Sequence, residues 1–178
     1  VADKTIIVFC GDNGYNLGQH GMWKKQALFE HTTRTPLIIS VPGLTNDEGK
    51  SSRVVEMLDI YPTLANLCNL KNIPQDLQGK NLLPLLQNPD AAWDGAAYSV
   101  LLRTPNRFIK YMKKGERALG RTIRTERYRY TEWNDGEKGG ELYDYQVDPN
   151  ENDNLYNNPK YKKIQKELQE KLYKKIEK

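Results

Sequence analysis

Cysteine is scarce. Only Cys10 and Cys68 occur among 178 residues, too few for a disulfide framework and at no zinc-ligand spacing. Cysteine usage therefore leaves the redox compartment open, and Cys10, closing an apolar run, is expected to be a small buried side chain. No stretch is long and apolar enough to cross a membrane as a helix, so no membrane span is expected. Asn is plentiful, yet no Asn-x-Ser/Thr sequon occurs. That argues against a glycosylated lysosomal or secreted eukaryotic chain and favours a bacterial source. No internal repeat is visible. No EF-hand is present either: the run from Asp148 has Asn150 and Asn152 at the right spacing, but Asp153 stands where glycine is needed and no Glu closes the loop.

The body of the chain also lacks an excess of positive charge. The formal net charge is +4, but residues Asn158 to Lys178 hold eight Lys against three Glu. The remainder has 19 basic and 20 acidic residues and is close to neutral. A Lys-rich terminus of this kind reads as the solvated face of a helix. With no basic stripe interleaved with stacking aromatics, no nucleic-acid partner is expected.

What is present is a folded, polar-surfaced composition, 38% hydrophobic and 28% charged with 11 Tyr, long enough for one domain or part of a larger one. The run TIIVFC, Thr5 to Cys10, is apolar and β-branched, the pattern of a buried parallel strand. It ends at Gly11-Asp12-Asn13-Gly14, where open α/β sheets place ligand-binding side chains. A second apolar strand, Pro36 to Val41, follows a polar, aromatic excursion from Tyr15 through Trp23 to Arg34. Helical spacing predicts a helix beginning near Asp59, with Pro62 in its first turn. Residues 72–89, with three prolines, read as an irregular connector. Antiparallel strands are expected at Ala97–Leu102, Thr122–Trp133 and Glu141–Tyr145, the last two joined by turns at Asn134-Asp135-Gly136 and Gly139-Gly140. A terminal helix starts near Pro159, with Tyr161, Ile164, Leu168, Leu172 and Ile176 on one face.

The stretch Gly11 to Gly43, GDNGYNLGQHGMWKKQALFEHTTRTPLIISVPG, resembles the segment of type I sulfatases that supplies metal ligands and a sulfate-binding lysine. Colinear matches follow at LDIYPTLANLCNL (from Leu58), LQGKNLLPLL (from Leu77) and ELYDYQVDPNENDNLYN (from Glu141). Within that family the chain is most similar to iduronate-2-sulfatase and its bacterial relatives. The Ala97-Tyr98-Ser99 run with Arg103 beyond it, the stretch TIRTERYRYTEW (Thr122 to Trp133) and the Leu-Gly-x-His-Gly-x-Trp-x-Lys spacing from Leu17 to Lys25 carry that likeness. Iduronate-2-sulfatase often has His where Asn13 stands, a departure that leaves the metal role intact.

The resemblance implies an α/β fold, part of an alkaline-phosphatase-like sheet sandwich over residues 1–95, and a C-terminal subdomain with a small antiparallel sheet and terminal helix over 96–178. It implies a sulfuric ester hydrolase acting on a sulfated sugar. Asp12 and Asn13 would be metal ligands. Carboxylate and amide oxygens suit Ca²⁺, with Mg²⁺ possible; two donors fill only part of the roughly six to eight positions of Ca²⁺. Taken alone, Asp-Asn-Gly reads as a plain turn rather than a metal site. Lys25 falls at the sulfate-contacting lysine, placed to neutralise developing charge. Tyr15 either walls the sugar pocket or packs in the core. Arg103 and Arg124 either grip a uronate carboxylate bidentately or form structural salt bridges. His20 and His31 read as structural, and Arg34 as an ion-pair partner.

Family members attack sulfur with a formylglycine made from Cys or Ser in a Cys/Ser-x-Pro/Ala-x-Arg motif. Neither Cys10 nor Cys68 lies in one. The formylglycine and the remaining ligands are therefore expected in an N-terminal portion of the same enzyme, with any signal peptide upstream and a bacterial periplasmic or secreted location, or a lysosomal one if the source is eukaryotic. The alternatives are a phosphonate or phosphodiester hydrolase of the same superfamily and a non-catalytic carbohydrate-binding fragment.

Overall fold

The computed structural model describes residues 1–45, 49–104 and 115–176. In chain order these contain β1 (Ile7–Cys10), β2 (Asn16–Leu17), β3 (Trp23–Lys24), α1 (Glu30–Thr33), β4 (Leu37–Ser40), α2 (Ile60–Leu67), α3 (Leu83–Gln87), β5 (Ala97–Arg103), β6 (Ala118–Arg124), β7 (Tyr128–Trp133), β8 (Gly140–Asp144) and α4 (Lys162–Ile176). They form two compact units, Val1–Gly11 with Pro36–Ala97 and Asp12–Thr35 with Tyr98–Lys178. The excursion 12–35, assigned by sequence to the N-terminal part, thus packs with the C-terminal strands.

In the first unit β1 pairs with β4 in an antiparallel ladder, Ile7 opposite Ser40 and Cys10 opposite Leu37. A parallel, buried β1 was expected, and two observations correct that. An antiparallel pair lets the chain leave β1 at Cys10 and re-enter β4 at its register partner, so no crossover is needed. A two-stranded ladder buries neither face, and Cys10 is exposed. Helix α2 starts where expected, after Asp59, with Pro62 in its first turn. The connector is less irregular than its prolines suggest, because α3 forms with Pro84 in its first turn, where proline's missing N–H has no helical partner to lose.

Two of the sequence signatures form one lock in this unit. Asp59 is buried, and its carboxylate accepts the N–H groups of Lys80 (2.6 Å) and Glu56 (2.8 Å). Thr63 donates to the Asp59 carbonyl at 2.5 Å and accepts the Leu82 N–H at 2.8 Å. A Cβ at Gly79 would stand 2.0 Å from the Leu58 carbonyl oxygen, so only glycine lets the Gly79-Lys80 backbone reach Asp59. Hydrogen bonds to a buried carboxylate contribute about 1.5–3 kcal/mol each.

The second unit is organised by the four-stranded sheet β5-β6-β7-β8. The expected single strand Thr122–Trp133 is two strands, and Ala118 rather than Thr122 opens the first. The turn between them contains neither Gly nor Pro. Thr125 builds it instead, its N–H donating to the Tyr128 carbonyl (2.8 Å) and its hydroxyl accepting the Tyr128 N–H (3.0 Å). The later turn has the anticipated chemistry, with φ of 47°, 55° and 89° at Asn134, Asp135 and Gly136.

Register sorts the side chains into two faces. Ile123, Tyr130 and Leu142 lie opposite one another across β6, β7 and β8, all fully buried. Helix α4 covers this face through Leu168 and Leu172, and Gln169 donates to Glu132 at 3.1 Å. The opposite face presents Gly120, Trp133, Arg124, Arg129 and Tyr143, and segment 12–35 covers it. Leu28 packs with Trp133 and Ala118, and the Phe29 ring sits 6.1 Å from Tyr143. Coverage on both faces explains why β7 is buried at all but its first residue.

Candidate functional site

Asp12, Asn13, Tyr15, Lys25, Arg103 and Arg124 all belong to the second unit. Asp12 accepts the N–H of Asn13 at 2.9 Å, a local turn that leaves the carboxylate at the surface. Gly14 then anchors the pair. Its N–H donates to the Thr32 carbonyl at 2.9 Å, and a Cβ there would lie 2.1 Å from the His31 carbonyl oxygen. The third residue of Asp-Asn-Gly is therefore glycine because the backbone of α1 lies against it.

From Gly14 the chain enters the hairpin β2–β3, in which Asn16 pairs with Lys24 and Leu17 with Trp23. Tyr15 and Lys25, each one residue beyond the Asn16–Lys24 pair, flank its open end, and Asp12 and Asn13 lie just upstream of Tyr15 in the chain. Tyr15 is about half exposed, so it does not pack in the core of the described residues. Lys24 and Lys25 diverge in backbone, because Lys24 has φ 72°. His20, at φ 54°, stacks on Phe29 with centroids 3.9 Å apart, a packing role.

The two arginines differ. Arg103 donates to the Gln26 carbonyl at 3.4 Å and lies over the Trp133 ring at 4.4 Å, so it holds the backbone next to Lys25. Arg124 pairs with Glu30 at 3.3 Å and stacks 3.5 Å over the Tyr145 ring, the structural salt-bridge alternative. Arg34 reaches the other Glu30 oxygen at 3.9 Å from an exposed position.

Glu30 is the centre of a buried ionic cluster that sequence reasoning did not single out. Arg129, 2% exposed, donates to Glu30 and to Glu151, each at 2.5 Å, and to Thr33 at 3.0 Å. Glu151 also accepts the Glu30 N–H at 2.7 Å and the Tyr145 hydroxyl. Two guanidinium groups face two carboxylates, so the cluster is neutral overall, as burial requires. Burial pulls the Glu30 carboxyl upward, but Arg124 and Arg129 outweigh it and hold it below the ordinary carboxylate value. Burial pushes the Tyr145 hydroxyl well above its ordinary value. Glu151 occupies φ 58°, a left-handed conformation that costs a non-glycine residue about 1–2 kcal/mol. The motifs TIRTERYRYTEW and ELYDYQVDPNENDNLYN contain these residues, yet nothing in their order shows that Arg129 and Glu151 meet Glu30.

Asp12 and Asn13 supply oxygen donors of the kind Ca²⁺ takes. Among the described residues no group of three or more His, Cys, Asp or Glu is gathered as a metal-ion cage. The donor pair fits part of a Ca²⁺ shell.

A family profile described as N-sulphoglucosamine sulphohydrolase, C-terminal, matches residues 18–178. The chain belongs to this sulfatase family. Its relatives include an N-acetylglucosamine-6-O-sulfatase of Bacteroides thetaiotaomicron, 33% identical over 175 residues, which cover 96% of this chain and 30% of the relative. Human iduronate 2-sulfatase is 30% identical over 219 aligned positions, covering 88% of this chain and 39% of that enzyme. A solved structure holding its substrate D-glucosamine-2-N,6-O-disulfate superposes with a TM-score of 0.82 at 31% identity, over 98% of this chain and 34% of that one. A phosphonate monoester hydrolase of Agrobacterium radiobacter gives 0.75 at 26% identity, over 98% and 35%. The chain therefore spans about a third of the length of these sulfatase relatives, as a C-terminal segment. Its fold is α/β, part of an alkaline-phosphatase-like architecture with small antiparallel sheets and a terminal helix.

Proposed function

We propose that this chain is the C-terminal portion of a sulfuric ester hydrolase that removes sulfate from a sulfated sugar. The observation that carries the reading is membership of this sulfatase family, supported by the β2–β3 pairing, whose open end is flanked by Lys25 and by Tyr15, which follows Asp12 and Asn13 in the chain. Asp12 and Asn13 contribute two oxygen ligands to a Ca²⁺ or Mg²⁺ ion, which would polarise the sulfate group. Lys25 neutralises charge that grows on the transferred group. Tyr15 and Arg103 border the sugar. The relatives named above are an N-acetylglucosamine-6-O-sulfatase and an iduronate 2-sulfatase at similar identities, 33% and 30%, which supports sulfated sugars as a class.

The N-terminal portion of the same enzyme supplies the formylglycine and the remaining ligands. In support, Ile7, Phe9 and Ile38 share one face of the β1–β4 ladder and are each more than half exposed, an apolar surface that a longer chain would cover. Alone, the 178-residue chain hydrolyses no sulfate ester. The enzyme is placed in the bacterial periplasm or outside the cell.

A full-length protein that turns over a sulfated disaccharide, with loss of activity on chelation, supports the reading. Turnover of a phosphonate monoester in preference to a sulfate ester would instead favour the second reading, which the likeness to the phosphonate monoester hydrolase supports. Sulfate-ester turnover by the isolated chain, abolished by a substitution within it, would refute the division of labour.

A further inference from the structure

We propose that Glu151 is a positioning residue: its carboxylate, through Glu30 and Arg129, clamps segment 12–35 onto the sheet and so determines where Asp12, Asn13 and Lys25 stand. The first observation is conformational. Glu151 is 2% exposed and sits at φ 58°, a backbone region in which a non-glycine residue persists only where its surroundings over-determine it. Here its side chain does so. One carboxylate oxygen takes the Arg129 Nε–H, and the other takes the Glu30 N–H across 121 residues of sequence.

The second observation is the path from that bond to the candidate site. The Glu30 N–H opens α1, where a helix has no internal acceptor to offer, so Glu151 supplies it. Two residues on, the Thr32 carbonyl accepts the Gly14 N–H, and the adjoining His31 carbonyl abuts Gly14 itself. Asn13 and Asp12 precede Gly14 directly. On the returning strand of the hairpin, Arg103 holds the Gln26 carbonyl, one residue beyond Lys25. A shift of α1 is therefore delivered to Asn13 through one hydrogen bond and one close backbone contact. A metal shell tolerates only about half an ångström of displacement. Every residue in this path lies within one compact unit.

The proposal rests on reading Asp12 and Asn13 as metal ligands, and the experiment separates the two. Amide exchange by NMR on the 178-residue chain compares wild type, Glu151→Gln, Glu151→Ala and, as a control on an exposed α4 pair, Glu167→Gln. Glu151→Ala is expected to speed exchange at Gly14 and Glu30 at least tenfold more than at the amides of β6 and β7. Glu151→Gln, which keeps an acceptor but not the charge, should fall between, and it remains informative if the alanine variant does not fold. Isothermal titration of the full-length protein with Ca²⁺ then reads the consequence: at least tenfold weaker binding in Glu151→Ala. Unchanged exchange at Gly14 and Glu30, or faster exchange spread evenly over the sheet, overturns the clamp. Local opening with unchanged Ca²⁺ affinity overturns its positioning role. A wild-type full-length protein that binds no Ca²⁺ overturns the reading of Asp12 and Asn13 instead.

Discussion

Replacing Arg129 by Met tests whether the ionic cluster holds the second unit together. Arg129 is 2% exposed and contacts Glu30, Glu151, Thr33 and Tyr145, so solvent does not screen its interactions. Removing one partner of a buried ion pair costs roughly 3–5 kcal/mol, because the other charge is left uncompensated. Glu30 keeps Arg124 at 3.3 Å, whereas Glu151, with its side chain 1% exposed, loses its only ion-pair partner among the described residues. One orphaned charge, not two, places the expected loss near the lower end, about 3 kcal/mol. For a chain of this length that corresponds to a fall in Tm of roughly 6–12 °C. Thermal and urea unfolding followed by near-ultraviolet circular dichroism, which reports the buried tyrosines, measures it. Combining Arg129→Met with Glu151→Gln should cost less than the sum of the single changes. A loss below about 1 kcal/mol, or strict additivity, would refute the argument that these groups act as a buried unit.

Acid should weaken the fold by a defined route. Glu30, raised by burial but lowered more by Arg124 and Arg129, and Asp144, lowered by its hydrogen bond from Arg127, both lie below their ordinary values of 4.5 and 3.8. Their contribution is present above those values and is lost as pH falls through the depressed ones, so Glu30→Gln should flatten the stability profile there. Glu141 is the opposite case: burial raises its carboxyl despite the hydrogen bond from Trp133, so its stabilising effect is confined to low pH and lost as pH rises through the raised value. Glu141→Gln should therefore raise Tm at pH 7 and give no gain below the ordinary value of 4.5. Gly14→Ala should destabilise by about 1–3 kcal/mol, because its Cβ meets the His31 carbonyl oxygen at 2.1 Å; an unchanged urea midpoint would contradict that contact. Lys25→Ala in the full-length enzyme should lower kcat by roughly a hundredfold, about 2.7 kcal/mol, with Lys24→Ala near normal; a reversed pattern in steady-state kinetics would mean that Lys24 carries the charge.

Local chemistry made much of the chain legible. Short apolar runs located β1 and β4, and 3.6-residue spacing located α2 and α4, because burial of one helix face imposes its period on the residues. Asn134-Asp135-Gly136 announced its turn through residues that tolerate positive φ. The candidate residues Asp12, Asn13, Tyr15 and Lys25 were found by family likeness, and the β2–β3 register sets Tyr15 and Lys25, ten residues apart, across the open end of one hairpin.

Other features depend on contacts that no local pattern encodes. The Thr125 turn was missed because a threonine hydroxyl replaces the usual Gly or Pro signal. The antiparallel pairing of β1 with β4 was missed because an apolar run has the same appearance in either direction. Above all, no local pattern singles out Arg129 and Glu151. What buries them is the docking of segment 12–35 on the sheet, which brings Glu30 within reach across 99 and 121 residues. Sequence by itself determined the elements and the family; only the tertiary structure decided which charges are buried together, because desolvation is a property of what packs around a side chain and not of its neighbours along the chain.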